Sequence, residues 1–110
     1  MTDQQLLELA AKAAGIKISK SPAGKLWVRF VVTSWDEWNP LEDDGDALQL
    51  AVKLGLFVDV YDAEVVTGWV VDKDSMSMET LNQPKGNDPY AATRRAIVRA
   101  AAEIGKGEQA

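Results

Sequence analysis

The spacing of apolar residues predicts a first helix over residues 3–14. Thr2 and Gln5 form a capping-box pair ahead of it, apolar residues then recur at helical spacing, and Gly15 is a natural C-terminal stop. A last helix is predicted from Pro89 to Ile104, capped by Asp88 and stopped by Gly105. Its expected packing stripe is Tyr90, Thr93, Ile97, Ala100, Ala101 and Ile104, and the opposite side carries Arg95, Arg99, Ala102 and Lys106.

A middle helix is predicted to follow the turn at Asn39-Pro40 and to end at Gly55. Either Asp43 or Asp44 can accept a hydrogen bond from its free N-terminal amides, and we favour Asp44. The only polar stripe on this helix is Asp46, Gln49 and Lys53. The remaining surface must therefore be covered, and we interpret the helix as the central element of the fold; the residues concerned are Ala47, Leu48, Leu50, Ala51, Val52 and Leu54.

Alternating apolar runs predict about five strands in a mainly antiparallel sheet. Residues 16–18 and 26–33 are expected to form a hairpin, with its turn at residues 21–24. Both faces of its second strand are apolar, so helices should cover both sides. Runs at residues 56–61, 65–71 and 76–80 predict a meander, followed by a loop over 81–87. The expected fold is α/β (α+β), a three-layer α/β/α sandwich with three helices.

Length and composition restrict the possible functions. The 110 residues fit one domain spanning 1–110, with a frayed tail over 106–110, and no run is long enough for a membrane span. The first residues lack the features of a secretory signal, so we expect a cytoplasmic protein. Without cysteine or histidine, most catalytic and zinc-binding sets are excluded. A net charge of −5 argues against nucleic acid as a partner.

Two stretches resemble a known family. The sequences WNPLEDDGDALQLAVKLG at residues 38–55 and DPYAATRRAIVRAAAEIG at residues 88–105 look like the hallmark segments of the phage ABA sandwich domain family. They cover about a third of the chain. The resemblance implies a bacteriophage or prophage protein, in a bacterial host cell, with an α/β/α sandwich. It implies no catalytic residues.

The acidic start of the middle helix has two interpretations. Asp43, Asp44 and Asp46 supply hard oxygen ligands that suit calcium or magnesium. The chain does not match the calcium-binding helix-loop-helix pattern, however, because Leu54 occupies the position of the final acidic ligand. Carboxylates near a helix N-terminus are also stabilised by the helix dipole and by capping. We therefore favour capping over a metal site and expect no cofactor.

Arginine and tryptophan residues supply the other candidate sites. The group Arg94, Arg95 and Arg99 either binds an anionic ligand or partner, or interacts with water and nearby carboxylates of the same chain. Arg95 and Arg99 are its main candidates. The four tryptophans either fill the core or form a partner surface. Trp35 and Trp38, in the expected loop before the middle helix, are the pair more expected to be exposed.

No nucleophile–base pair is recognisable, so we expect a non-enzymatic accessory protein that acts by binding, either to itself or to a host or phage protein. The alternative is a small-ligand or nucleotide-binding domain. In that alternative the acidic helix start would converge with Arg95 and could hold a metal ion.

Overall fold

The computed structural model describes residues 1–20, 26–31 and 34–107, with the side chains of residues 20–36 outside that description. Three helices and two three-stranded antiparallel sheets make up the described part. The helices are α1 (Asp3–Ala14), α2 (Asp44–Leu54) and α3 (Pro89–Gly107). The first sheet contains β1 (Ile18–Lys20), β2 (Leu26–Val31) and β3 (Ser34–Glu37), and the second contains β4 (Phe57–Val60), β5 (Glu64–Asp72) and β6 (Ser77–Pro84).

The mixed helix and antiparallel sheet agrees with the predicted class, whereas the strands are divided differently. Within the described residues, six strands form two separate sheets, in the orders β1-β2-β3 and β4-β5-β6, in place of one sheet of about five. The predicted meander is present as β4, β5 and β6, paired in sequence. The predicted hairpin turn at residues 21–24, and the side chains that would show whether β2 is covered on both faces, lie outside the described residues.

Two predicted loop regions are strands instead, because each pairs with a neighbouring strand. β6 extends to Pro84 through the region predicted as a loop, because the long β5 offers it partners as far as Glu64. A proline is compatible with the end of an edge strand, which needs no further backbone donor. Residues 34–37, predicted as a loop, form β3 by pairing with β2.

The central helix of the described fold is α3 rather than α2. It packs against α1 and α2 on one side and against the second sheet on the other. Thr67 of β5 is fully buried, and its hydroxyl donates a hydrogen bond to the carbonyl of Ala96, 3.3 Å away. Because α3 is surrounded in this way, Ala102 is buried although it was assigned to the polar side.

Gly105 lies inside α3 and does not end it. A Cβ atom at this position would lie 2.9 Å from the carbonyl carbon of Leu9 and closer still to the carbonyl oxygen. The glycine therefore permits α1 and α3 to approach backbone to backbone, and the helix continues through Gly107. The predicted frayed tail is thus wrong for residues 106 and 107, and residues 108–110 lie outside the described part.

Candidate functional site

The start of α2 is fixed by hydrogen bonds among its own polar residues. The side-chain oxygen of Asn39 accepts a hydrogen bond from the backbone amide of Leu41. The backbone carbonyl of Asn39 accepts hydrogen bonds from the amides of Glu42 and Asp43. Asp43 is the N-cap, because its carboxylate accepts from the Asp46 amide at 2.7 Å. Our choice of Asp44 as the cap is therefore wrong. Asp44 is the first helical residue, and its side chain is free to interact outside α2.

Asp46 closes the turn from within the helix. Its carboxylate accepts a hydrogen bond from the backbone amide of Asn39 at 3.0 Å. Partial burial raises the pKa of this carboxyl above its ordinary value, while the hydrogen bond from Asn39 acts in the opposite direction. The neighbouring charges of Asp43 and Glu37 raise the pKa further. Asp46 is thus held in place by the turn that it helps to form.

Arg94 joins the start of α2 to the first turns of α3. Its Nη1 lies 2.7 Å from the Asp44 carboxylate, and its Nε donates to the carbonyl of Leu41 at 2.9 Å. The Arg94 side chain is mostly buried, whereas that of Asp44 is mostly exposed. Because the two bonds use different nitrogens of one planar guanidinium, they fix the distance and the angle between the two helix starts.

An apolar groove of about 460 Å³ lies beside this ion pair, between α2, β4 and α3. Its exposed walls are Leu48 of α2, Val60 of β4 and Tyr90 of α3, which are 63%, 55% and 71% exposed. Buried Ala47 and Ile97 also line it. The remaining lining residues are Asp44, Pro89, Thr93 and Arg94. The site is therefore an open, mostly apolar surface with one internal ion pair at its edge.

The groove occupies a surface that the sequence predicted to be covered. Leu48 and Val52 lie one turn apart on α2, and Val52 is 72% exposed. Tyr90, assigned to the packing stripe of α3, is also exposed, so these three burial predictions are wrong. In contrast, Leu50 and Ala51 are buried as expected. Within the described residues, the apolar pattern of α2 thus exceeds what the fold covers.

The predicted site residues do not converge on one point. Arg95 pairs with Asp3 of α1 at 3.0 Å, and Arg99 donates to the Gln83 side chain at 2.6 Å and to the Asn82 carbonyl at 3.2 Å. Neither lines the groove, and the arginine that meets the acidic helix start is Arg94. The sequence placed Arg94 in one candidate group with Arg95 and Arg99 but did not distinguish it from them, because helical spacing alone does not identify the side facing α2.

The two tryptophans proposed as an exposed pair have separate outcomes. Trp38 is only 2% exposed and belongs to the core formed by α1, α2 and α3, so its predicted exposure is wrong. Trp35 lies in β3, and its side chain is outside the described residues. Trp69 of β5 is buried.

Two other kinds of site are absent from the described residues. Among the described residues, no group of three or more histidine, cysteine, aspartate or glutamate side chains is arranged to hold a metal ion. No helix within residues 1–20, 26–31 and 34–107 is both long and apolar enough to cross a bilayer.

No family model matches this chain, and no curated protein or solved structure matches it significantly.

Proposed function

We propose that this protein is a non-enzymatic binding module that holds a segment of another protein in the groove between α2, β4 and α3. The observation that carries the proposal is the exposure of Leu48, Val60 and Tyr90 around one concave surface. Single apolar side chains scattered over a protein surface are common and need no explanation. A contiguous exposed apolar patch, in contrast, is typical of an interaction site.

The charges near the groove favour a protein segment over the alternative of a nucleotide or a metal-dependent ligand. A phosphate needs positive charge that is not already neutralised, but the Arg94 guanidinium is paired with the Asp44 carboxylate and also bonded to the Leu41 carbonyl. Asp88 adds a negative charge at the start of α3. A nucleotide would therefore meet repulsion where it requires neutralisation.

The resemblance to the phage ABA sandwich domain family supports a bacteriophage or prophage origin, which is part of the same proposal. The two stretches that carry the resemblance, residues 38–55 and 88–105, supply α2 and most of α3, and they meet at the Arg94–Asp44 pair beside the groove. We propose a phage or prophage accessory protein acting in the cytoplasm of a bacterial host, with the three-layer sandwich of that family in a single domain.

The test is site-specific crosslinking followed by an affinity measurement. A photo-crosslinking residue in place of Leu48 should capture one partner in host cells, and the same residue in place of the exposed Gln49 is the matched control. The captured protein is then identified and purified, and its Kd is measured for wild type and for Leu48→Gln. We expect a loss of affinity of roughly tenfold or more, since an apolar anchor typically contributes more than 1 kcal/mol.

Two outcomes would overturn the proposal. Equal capture from positions 48 and 49 would mean that the groove is not the contact surface. Capture of a second copy of this chain, together with a dimer in sedimentation velocity that Leu48→Gln dissociates, would mean that self-association fills the groove.

A further inference from the structure

The backbone of β4 has one side without a partner. The amide of Tyr61 donates to the Glu64 carbonyl at 2.8 Å, and the register places Asp59 opposite Val66. In an antiparallel pair, residues alternate between those that bond to the partner strand and those that bond away from it. The backbone groups of Phe57 and Asp59 therefore face β5. Those of Val58 and Val60 face the outer edge of the sheet.

The two edges of this sheet differ in how easily another strand can pair with them. On the far edge, the Asn82 carbonyl of β6 accepts a hydrogen bond from Arg99, and the strand ends in Pro84. Both features hinder the addition of another strand. Within the described residues, no hydrogen bond reaches Val58 or Val60 on the outer side of β4. The edge formed by β4 contains neither lysine nor proline.

The open edge lies along the groove. Val60 contributes both a wall of the groove and backbone groups at the edge. Its side chain lies on the face of the sheet that also carries Val65 and Thr67, which pack toward α3. A strand added to β4 would therefore place every second side chain beside Leu48 and Tyr90, because successive residues point to opposite faces.

The charges around the edge specify what such a strand must contain. Asp59 lies in β4, where its pairing with Val66 places its side chain on the face of the sheet opposite the groove, and Asp62 follows the strand. Arg94, the basic residue in the groove lining, is engaged with Asp44. An incoming strand is therefore attracted most strongly to this edge if it carries lysine or arginine.

A second copy of the chain fits this edge poorly. In the register that bonds Val58 of one copy to Val60 of the other, Asp59 lies directly opposite its own counterpart. Like charges placed opposite each other on a sheet are destabilising. Two molecules that each carry a net charge of −5 also repel each other.

We infer that β4 is a strand-addition site for an extended segment of another protein in which apolar residues alternate with lysine or arginine, the apolar set lying in the groove. This inference rests on the proposed function, because it specifies the segment that the groove holds. Main-chain hydrogen bonds to Val58 and Val60 would supply the affinity, and the groove would select the side chains.

The test uses a short blocked peptide of alternating valine and lysine as the probe. On binding, hydrogen exchange at the amides of Val58 and Val60 should slow by roughly tenfold or more as these amides become bonded, while the amides of Phe57 and Asp59 keep their rates. Only alternate residues of an added strand bond to β4 through their backbone groups. N-methylation of that set, which is either all the valines or all the lysines, should therefore abolish binding, and N-methylation of the other set should not. Replacing lysine with glutamate should also abolish binding, and added salt should weaken it.

The outcomes separate this inference from the proposed function. If the probe binds and loses affinity with Leu48→Gln, but the Val58 and Val60 amides stay unprotected and both N-methylated peptides bind, strand addition is overturned and groove binding stands. If the amides are protected and Leu48→Gln has no effect, the edge site stands and the groove is not the anchor. No binding at millimolar peptide overturns the strand-addition site, while the crosslinked partner still tests the groove.

Discussion

Arg94 and Asp44, 50 residues apart in the chain, join the first turns of two helices, with Nη1 of the arginine 2.7 Å from the carboxylate. The same guanidinium also bonds the Leu41 carbonyl through Nε. This carbonyl belongs to the turn before α2, so Arg94 holds the turn and the helix together. One side chain thereby fixes the wall of the groove.

We expect Arg94→Ala to lower the free energy of unfolding by about 2 kcal/mol, because it leaves a partly buried carbonyl and a carboxylate without their donor. Arg94→Lys should cost about 1 kcal/mol, since one ammonium does not reproduce the planar fork. Asp44→Asn should cost less than about 1 kcal/mol, because Asp44 is largely exposed. Urea titrations measure all three. Equal losses for Arg94→Ala and Asp44→Asn would show that the bond to Leu41 contributes nothing.

Asp43 should behave as a helix cap rather than as a metal ligand. Asp43→Ala removes the acceptor for the Asp46 amide and should cost about 1 kcal/mol of stability. Asp43→Asn keeps an acceptor and should cost much less. Denaturant titrations with and without added calcium or magnesium provide the measurement. A loss that appears only when the metal is present, and is equal for Ala and Asn, would contradict capping and indicate a metal site.

Gly105→Ala should destabilise the protein by about 1–3 kcal/mol, because the new methyl group collides with the backbone of Leu9. Gly107→Ala is the matched control in the same helix, since a Cβ there meets nothing within 4 Å. Alanine is the better helix former, so this control should be neutral or stabilising by up to about 1 kcal/mol. Thermal unfolding of both variants is the measurement. Equal melting temperatures would show that α1 and α3 separate easily at this contact.

Leu48→Ala and Leu50→Ala make the same change two positions apart on α2. Leu50 is fully buried in the core shared by the three helices, so its truncation should cost about 2–5 kcal/mol. Leu48 is exposed, and its truncation should change stability by no more than about 0.5 kcal/mol. Chemical denaturation distinguishes the two. A large loss for Leu48→Ala would mean that its side chain is covered in the isolated protein.

Asp46 should make stability depend on pH in a direction opposite to that of a salt-bridged carboxylate. The pKa of Asp46 in the folded protein is raised above its ordinary value of 3.8. At pH values between the unfolded and the folded pKa, the folded state therefore binds more protons than the unfolded chain. The contribution of Asp46 is therefore greatest below pH 3.8 and is lost as the pH rises through the folded pKa. Asp46→Asn removes this dependence and keeps an acceptor for the Asn39 amide. The stability of the variant relative to wild type should increase from acidic to neutral pH in urea titrations. A relative stability that decreases over this range would contradict the assignment.

The helices and the second sheet could be predicted from the sequence because their signals are local. Capping residues, glycine stops and apolar periodicity act within a few positions, and Thr2, Gly15 and Gly55 have the predicted roles. The extension of β6 could not be predicted in this way, because it depends on the length of β5. The role of Gly105 was also hidden, since a glycine that stops a helix and one that permits close packing look the same in a sequence.

The sequence by itself determined the three helices, the meander and an excess of apolar positions on α2. Only the tertiary structure decided which of those positions are covered. The packing of α2 in the core shared with α1 and α3 buried Leu50 and left Leu48 and Val52 exposed, and the position of α3 placed Arg94 rather than Arg95 beside Asp44. The physical reason is that periodicity defines the faces of a helix, whereas the face that becomes buried depends on how distant segments pack against it.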